Sequence, residues 1–160
     1  MEKVIKTVKT KRGVLKICKD TENDSIYIKN PITLARYREL TNSHPDCDKH
    51  GIFWAFSNKQ FEEGKAKMKE LGLYTDGQKI YSIGWGGYGV NKELIDKYFS
   101  FYENRKKTIA QECEPQEVYL YEWSNHECGY TCDDTAAFAI TKDIFGKERA
   151  SKVERFYKGE

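Results

Sequence analysis

Apolar and polar residues alternate in short runs near the N-terminus, which is typical of β-strands. Residues 4–9 and 14–18 are rich in β-branched side chains and flank the polar segment TKRG, so they predict a hairpin. The segment DSIYIKN predicts a third strand. Asn30 and Pro31 then form the pattern of an N-cap and a first helical residue, and they predict a helix that runs to about Leu40.

The middle of the chain predicts a buried strand, a helix, a second strand and the longest helix. The continuous apolar run GIFWAFS has the length of a strand, which favours a central, buried position. Ser57 and Gln60 form the pattern of a capping box, and Gly72 predicts the left-handed end of the helix that they start. The segment DGQKIYSIG predicts a turn and a strand, and Asn91 predicts the N-cap of the longest helix.

The C-terminal part of the chain predicts one strand and two helices. The segment EVYLYEW, residues 117–123, alternates in character and predicts a strand. Residues 134–144 and 147–157 predict two helices joined at a glycine. Asp133 and Asp134 are the expected N-cap and first turn of the earlier helix.

Together these elements predict an α+β fold. We expect a single compact domain over residues 1–160, without linker or repeat, in which about five helices pack on a small, mainly antiparallel sheet of about five or six strands. Only 39% of the residues are hydrophobic, but aromatic residues make up 14% of the chain. Because large rings bury much apolar area each, a compact core rich in Phe and Tyr is expected.

Composition also narrows the cellular setting. No stretch approaches the ~20 apolar residues of a membrane span, so no membrane partner is expected. The N-terminal segment is basic and has no apolar core, which predicts that it is not a signal peptide and that the protein is cytoplasmic. The five cysteines are odd in number and irregularly spaced, which predicts reduced thiols.

The net charge of +2 conceals an uneven distribution. Residues 1–19 carry seven basic side chains against one acid, and residues 111–135 carry seven acids and no base. Ordinary solvated surfaces explain such segments; the alternative is that the basic end attracts a polyanion or that the acidic segment mimics one. Four basic residues of the predicted hairpin are the candidates for nucleic-acid binding: Lys6, Lys9, Lys11 and Arg12.

The glycine-rich segment GWGGYG, residues 84–89, matches the G-x-G-x-x-G pattern of dinucleotide-binding loops. Trp85 and Tyr88 are bulky where the backbone would have to approach a pyrophosphate, which weakens that interpretation. The alternative is a turn that displays two aromatic rings. Exposed rings of this kind are typical anchors of binding surfaces.

Two polar segments, SHPDCDKHG and EWSNHECGYTCDD, combine histidine, cysteine and carboxylates. Zinc prefers imidazole and thiolate ligands, but neither spacing matches a common zinc module, so no cofactor is predicted and zinc stays an alternative. The candidate ligands are His44, Cys47, His50, His126, Cys128 and Cys132. Catalysis is a further alternative, with Cys128 or Cys132 as nucleophile, or with His126 and Glu127 as an acid/base pair.

Three segments taken together, GIFWAFSNKQFEEG, GWGGYG and EVYLYEWSNHECGY, resemble a family of short uncharacterised proteins of bacteriophages, mobile elements and gut bacteria. The resemblance covers roughly residues 45–155. The matching residues are Gly51–Ser57, Gly84–Gly89, Tyr121, Glu122, Asn125, His126 and Glu127. The resemblance implies a setting rather than an activity, since small aromatic-rich phage proteins with uneven charge often bind host factors.

We therefore expect a non-enzymatic binding protein, encoded by a phage or mobile element, that occupies or inhibits a host protein or nucleoprotein, with counter-defence as the concrete hypothesis. The expected binding surface consists of Trp85, Tyr88, Trp123, Asn125, His126 and Glu127. This surface assumes that two loops follow neighbouring strands and meet at one end of a sheet. The alternatives are a small enzyme that uses His126 and Glu127, with or without a metal, and a nucleic-acid-binding module that uses the basic hairpin.

Overall fold

The computed structural model describes residues 1–160 and confirms an α+β protein, with seven helices and two antiparallel sheets of three strands each. The strands are β1 (Glu2–Thr10), β2 (Gly13–Asp20), β3 (Ile26–Lys29), β4 (Ile52–Trp54), β5 (Tyr81–Gly84) and β6 (Gly87–Gly89). The helices are α1 (Leu34–Thr41), α2 (Asn58–Glu70), α3 (Lys92–Glu112), α4 (Pro115–Asn125), α5 (Cys128–Thr131), α6 (Thr135–Phe145) and α7 (Lys147–Lys158). None of the helices combines the length and the apolar character that crossing a membrane requires.

The chain divides into two compact units. The terminal unit contains residues 1–42 and 106–160, and the central unit contains residues 43–105. The expectation of one sheet is corrected, because the six strands are divided between two sheets, β1–β2–β3 in the terminal unit and β4–β6–β5 in the central unit. The prediction of a single domain without a linker stays a prediction.

The predicted N-terminal hairpin and third strand are confirmed. β1 pairs antiparallel with β2, and β2 pairs antiparallel with β3. The middle strand buries Leu15, Ile17 and Cys18, whereas β1 is mostly exposed. The terminal sheet therefore buries its middle strand and leaves the basic side chains of β1 in solvent.

The first helix begins later than the sequence predicts. Asn30 has a left-handed backbone with φ of 55°, and the N-cap of α1 is Thr33. The backbone N–H groups of Ile32 and Thr33 donate to the carboxylate of Glu117, at 2.7 and 2.9 Å. A carboxylate from another helix thus replaces the local cap that Asn30 was expected to supply.

The strand predicted at residues 117–123 is wrong, because these residues belong to α4. Pro115 lies at the helix start and Glu117 lies in the first turn, where both residue types are favourable. The helix contacts α1, α5, α6 and α7. Its buried residues are Pro115, Glu117, Val118, Tyr119 and Glu122. A helix that is buried on several sides lacks a continuous polar face, so its sequence does not show the 3.6-residue hydrophobic period. The alternation of residue types in EVYLYEW then resembles the pattern of a strand.

The central position predicted for GIFWAFS is also wrong, because β4 is an edge strand. Ile52 and Phe53 are buried in the central unit, as expected of this run. Trp54 and Phe56 are exposed instead. A three-residue edge strand has only one neighbour, so it does not cover all the side chains of the apolar run.

Both predicted ends of α2 are confirmed. The hydroxyl of Ser57 accepts the N–H of Gln60 at 3.2 Å, and the Gln60 side chain accepts the N–H of Phe56 rather than that of Ser57. At the other end Gly72 has φ of 72°, and the N–H of Leu73 donates to a carbonyl five residues earlier. This pair of features is a Schellman motif.

The remaining predicted helix boundaries agree with the structure, whereas α5 was not predicted and the expected five helices become seven with α4 and α5. Asn91 caps α3 by accepting the N–H of Leu94 at 3.1 Å. α6 and α7 meet at Gly146, which has φ of 87°. The side chain of Asp133 accepts the N–H of Thr135 at 2.9 Å at the start of α6. The capping expected of this acidic pair is therefore made by its first member.

Candidate functional site

The glycine-rich segment forms the turn of a β-hairpin. Gly84 of β5 pairs with Gly87 of β6, so Trp85 and Gly86 are the two turn residues. Their φ angles of 55° and 79° are both positive, as a type I′ turn requires. The dinucleotide-binding interpretation is wrong, because the segment joins two strands rather than a strand and a helix.

Two consecutive glycines of this hairpin lie under aromatic rings. A Cβ atom at Gly86 would lie 2.4 Å from Cε1 of Phe56, and a Cβ atom at Gly87 would lie 2.7 Å from Cζ3 of Trp54. Side chains at these two positions would displace the rings. The glycines therefore permit the close approach of two aromatic side chains to the hairpin backbone.

Three large aromatic side chains surround the hairpin turn, and we call them the aromatic patch: Trp54, Phe56 and Trp85. Their exposed fractions are 47%, 77% and 94%. The N–H of Ala55 donates to the carbonyl of Gly86 at 2.8 Å, which fixes the segment after β4 against the turn. Exposed apolar clusters of this kind mark interaction surfaces.

The conformation of Trp85 has no explanation within the fold. A bulky residue with positive φ is uncommon, and type I′ turns favour Asn, Asp or Gly at this position. The ring is almost fully exposed, so its burial contributes little to folding. Trp85 therefore lowers the local stability of the hairpin without a compensating contact inside the chain.

Tyr88, the other ring predicted to be displayed by this segment, packs inward instead. Its ring stacks on Phe53 with centroids 5.6 Å apart and meets Phe61 of α2 edge-on at 5.0 Å. The expectation of two displayed rings is corrected to one. The reason is that the ring of Tyr88 in β6 packs against Phe61 of α2, whereas Trp85 lies in the turn.

The other four residues of the predicted surface lie in the terminal unit. Trp123 and Asn125 belong to α4, His126 is its C-cap, and Glu127 is the N-cap of α5 with φ of 53°. The premise that this segment follows a strand is wrong, since residues 115–125 are helical. The predicted surface is thus divided between the two units.

Buried Glu122 joins three polar side chains in the terminal unit, those of Tyr37, Asn125 and His126. The hydroxyl of Tyr37 donates to one carboxylate oxygen at 2.6 Å, and His126 Nε2 lies 3.2 Å from the other. Burial and the bond to Glu122 raise the pKa of Tyr37. His126 is therefore paired with Glu122 rather than with Glu127, and the acid/base hypothesis stays a prediction.

The candidate metal ligands are also divided between the units. His44, Cys47 and His50 lie in the central unit, and His126, Cys128 and Cys132 lie in the terminal unit. No group of three or more His, Cys, Asp or Glu side chains is arranged to hold a metal ion. The ring of His50 instead has its Nδ1 atom 2.7 Å from the backbone carbonyl of Asp46. The chain presents no ready donor set for zinc.

A pocket of about 250 Å³ lies beside α5 in the terminal unit. Its lining includes Asp134, which accepts the hydroxyl of Tyr119 at 2.6 Å and lies 3.2 Å from the ammonium of Lys158. Burial opposes ionisation of Asp134, but these two donors outweigh it and lower the pKa of the carboxyl. The polar groups at this end of the pocket are thus already paired with one another.

Both cysteines of the catalytic hypothesis line this pocket. Burial raises the pKa of the Cys128 thiol, which disfavours the thiolate that a nucleophile needs. Cys132 is exposed and has φ of 53°. The pocket is apolar at Trp123 and its neighbours, and it does not include His126 in its lining.

The basic hairpin carries the four residues proposed for nucleic-acid binding. The guanidinium of Arg12 lies 2.6 Å from the buried carboxylate of Glu114. The ammonium of Lys6 lies over an aromatic ring. Lys9 and Lys11 are exposed.

Sequence reasoning placed Trp54 and Phe56 in a buried strand and thus missed two members of the aromatic patch. The signal that identifies them is the pair Gly86 and Gly87, because adjacent glycines at the end of a strand mark a place where other side chains approach the backbone. The side chains that approach these glycines belong to residues elsewhere in the same chain, and only the pairing of β4 with β6 shows which residues they are.

Comparison with known protein families gives one match. A family model described as "Family of unknown function (DUF7659)" matches residues 36–155. This range includes the aromatic patch and α4, and it begins after the N-terminal hairpin. No curated protein and no solved structure is significantly similar to the chain.

Proposed function

The chain belongs to this family of unknown function, and we propose that it is a non-enzymatic binding module that anchors a partner protein through the aromatic patch. The observation that carries the proposal is Trp85, a fully displayed indole in a strained turn position. A residue that lowers the stability of its own hairpin is explained when it contacts something outside the chain. Trp is also one of the residue types that are enriched among energetic anchors of protein interfaces.

The surroundings of the patch suit a protein surface as the partner. Phe56 adds a second exposed ring beside the turn, and Trp54 adds a third that is half-exposed. The next four residues, Ser57, Asn58, Lys59 and Gln60, are exposed and polar, and Lys59 alone is charged. Aromatic anchors bordered by hydrogen-bonding residues have the organisation of a protein interface, with an apolar centre and a polar rim.

The proposal includes the setting that the sequence resemblance implies. The protein is cytoplasmic and is carried by a phage or mobile element, and its partner is a host protein or nucleoprotein. Counter-defence is the consequence of occupying that partner. The rings of Trp54 and Phe56 already lie against the hairpin backbone and need little ordering on binding, which supports inhibition by occupation.

The test compares partner capture by three versions of the protein. Tagged wild type, Trp85→Asn and Tyr130→Asn are used to capture proteins from a bacterial host lysate, and the retained proteins are identified by mass spectrometry. Tyr130 is the matched control, because its ring is 92% exposed in the terminal unit. A protein retained by wild type and by Tyr130→Asn but lost with Trp85→Asn is the expected result.

The captured protein is then purified and its affinity is measured. We expect Trp85→Asn to raise the dissociation constant at least 30-fold. This change corresponds to a loss of about 2 kcal/mol of binding free energy, as is usual for an anchor residue. A partner that binds all three versions with equal affinity would rule out the aromatic patch as its docking surface.

A further inference from the structure

A groove in the terminal unit runs between β1 and α7. It consists of two adjoining cavities of about 330 and 470 Å³. Lys9, Gln116, Lys152 and Val153 line both cavities, so the two form one continuous depression. The groove shares no residue with the aromatic patch.

The lining of this groove is strongly basic. Six cationic side chains line it: Lys6, Lys9, Lys11, Arg12, Arg149 and Lys152. The one carboxylate in the lining belongs to Glu114, and Arg12 already lies 2.6 Å from it. Lys9 and Lys11 have no carboxylate within ion-pair distance, and Lys152 is paired only with exposed Glu148 on its own helix. The groove therefore presents an excess of positive charge in a concave surface, where charge of one sign is concentrated.

An aromatic ring forms part of the floor. Phe156 of α7 is half-buried, and the ammonium of Lys6 lies 3.9 Å above its centroid. Val153 lies beside it on the same helix. A ring next to cations is the combination with which proteins hold single-stranded nucleic acid, because bases stack on the ring while phosphates meet the cations.

Gln116 supplies an independent sign that the groove binds a ligand. Its side-chain oxygen is buried and has no hydrogen-bond partner, and it is the only side-chain atom of the chain with this property. Buried polar atoms are almost always paired, so each exception requires an explanation. Gln116 lines both cavities of the groove, and a rotation of its side chain would bring this oxygen to a hydrogen-bond donor of a bound ligand.

We propose that this groove binds single-stranded nucleic acid. Lys9, Lys11 and Lys152 contact the phosphates. The Lys6 ammonium moves from the ring of Phe156 to a phosphate, and a base stacks on the ring face that it leaves. The Gln116 amide accepts a hydrogen bond from a base or sugar. Arg12 has a structural role, since it neutralises Glu114 and keeps that carboxylate from repelling the backbone of the ligand. We expect a double helix to bind more weakly, because its bases are already stacked on one another and are not free to stack on Phe156.

The first experiment measures binding of a 5′-labelled dT12 and a labelled rU12 by fluorescence anisotropy, from 50 to 300 mM salt. A variant with Lys9→Gln, Lys11→Gln and Lys152→Gln tests the groove. Its matched control is Lys49→Gln, Lys92→Gln and Lys142→Gln, since these three lysines are exposed, form no ion pair and do not line the groove. Both variants change the net charge equally.

We expect the groove variant to bind at least tenfold more weakly than the control. The slope of log Kd against log salt is expected to fall by about 2, since each lost phosphate contact on a single strand removes roughly 0.7. Equal weakening by both variants, or no binding of either oligonucleotide at 50 mM salt, would overturn the proposal.

A second measurement separates nucleic acid from other anionic ligands. Phe156→Leu is expected to weaken the binding of dT12 at least fivefold, because one base loses its stacking contact. The wild-type protein is also titrated with a labelled poly-glutamate peptide and with a labelled dT12·dA12 duplex. Tighter binding of the peptide, or binding of the duplex equal to that of dT12, would show that the groove does not select single strands and would overturn the proposal.

Discussion

The hydroxyl of Thr33 donates to the carboxylate of Glu117 at 2.5 Å and accepts the backbone N–H of Glu114 at 2.9 Å. Thr33 is the N-cap of α1, and Glu114 is the N-cap of α4. The Glu117 carboxylate in turn accepts the N–H groups at the start of α1. The two helix starts are therefore capped reciprocally, each by a side chain of the other segment.

Removing Glu117 is expected to destabilise the protein by about 3 kcal/mol, because it leaves buried N–H groups without acceptors. Thr33→Val is expected to cost about 2 kcal/mol for the same reason. Urea denaturation of Glu117→Ala, Thr33→Val and the double variant measures these values. Glu112→Ala is the control, since Glu112 is exposed and forms a surface ion pair with Arg36. If Glu117→Ala lowers the free energy of unfolding no more than Glu112→Ala does, reciprocal capping is contradicted.

Alanine at Gly86 is expected to destabilise the protein more than alanine at Gly84, by roughly 1–3 kcal/mol. Both glycines have positive φ, 79° and 88°, so backbone strain is nearly matched. Only at Gly86 does the new Cβ collide with an aromatic ring, that of Phe56, since nothing lies within 4 Å at Gly84. Urea denaturation gives the difference, and it is expected to disappear when Phe56→Ala is added to both variants.

Trp85→Asn is expected to raise the free energy of unfolding by about 1 kcal/mol, because Asn tolerates the left-handed conformation that strains Trp. Trp85→Ala removes the same ring but keeps the strain, so its stability is expected to stay close to that of wild type. Thermal and urea denaturation of the three proteins measure this. Loss of stability in Trp85→Asn would indicate that the indole supports the fold, against the argument for a binding anchor.

The stabilisation provided by Asp134 is expected to be lost in acid. Its pKa is lowered in the folded protein, so its contribution is present above the ordinary carboxyl pKa and disappears as pH falls through the lower folded pKa. The free energies of unfolding of wild type and Asp134→Asn, measured from pH 7 to pH 2.5, are therefore expected to converge below about pH 4. Exposed Asp96→Asn is the control. A stability difference between wild type and Asp134→Asn that is independent of pH would contradict the assignment.

The five thiols are expected to react at different rates with iodoacetamide at pH 8. Cys132 is exposed and is expected to react first. Burial raises the pKa of Cys113 to about 11, so it has few thiolates and no access to reagent in the folded state. Peptide mass spectrometry at timed intervals locates each label. Labelling of Cys113 as fast as Cys132 would contradict the burial of Cys113.

Local signals in the sequence determined several elements correctly. Ser57 with Gln60, Gly72, and Asn91 each act through contacts within a few residues, so the bounds of α2 and the start of α3 follow from the chain itself. The start of α1 does not, because its cap comes from Glu117, more than eighty residues away. A contact at that separation leaves no mark in a local pattern.

The candidate site was predictable to a similar extent. Trp85 stands out in the sequence because it lies between glycines, and the structure displays it in a turn. Trp54 and Phe56 become visible only when β4 pairs with β6 at the edge of a sheet. The groove is assembled from a hairpin and a helix that are far apart in sequence. The N-terminal run of basic residues indicates the hairpin side of its lining, but nothing in the sequence indicates that Arg149 and Lys152 of α7 lie opposite.

Reciprocal capping also constrains the order of assembly. α1 has eight residues, and an isolated helix needs about 12–15 to be even marginally stable in water, so α1 forms only when α4 docks. The amides of Ile32, Thr33 and Glu114 are then protected by one shared event. In native-state hydrogen exchange we expect them to open together as one cooperative unit, although the chain separates them by more than eighty residues.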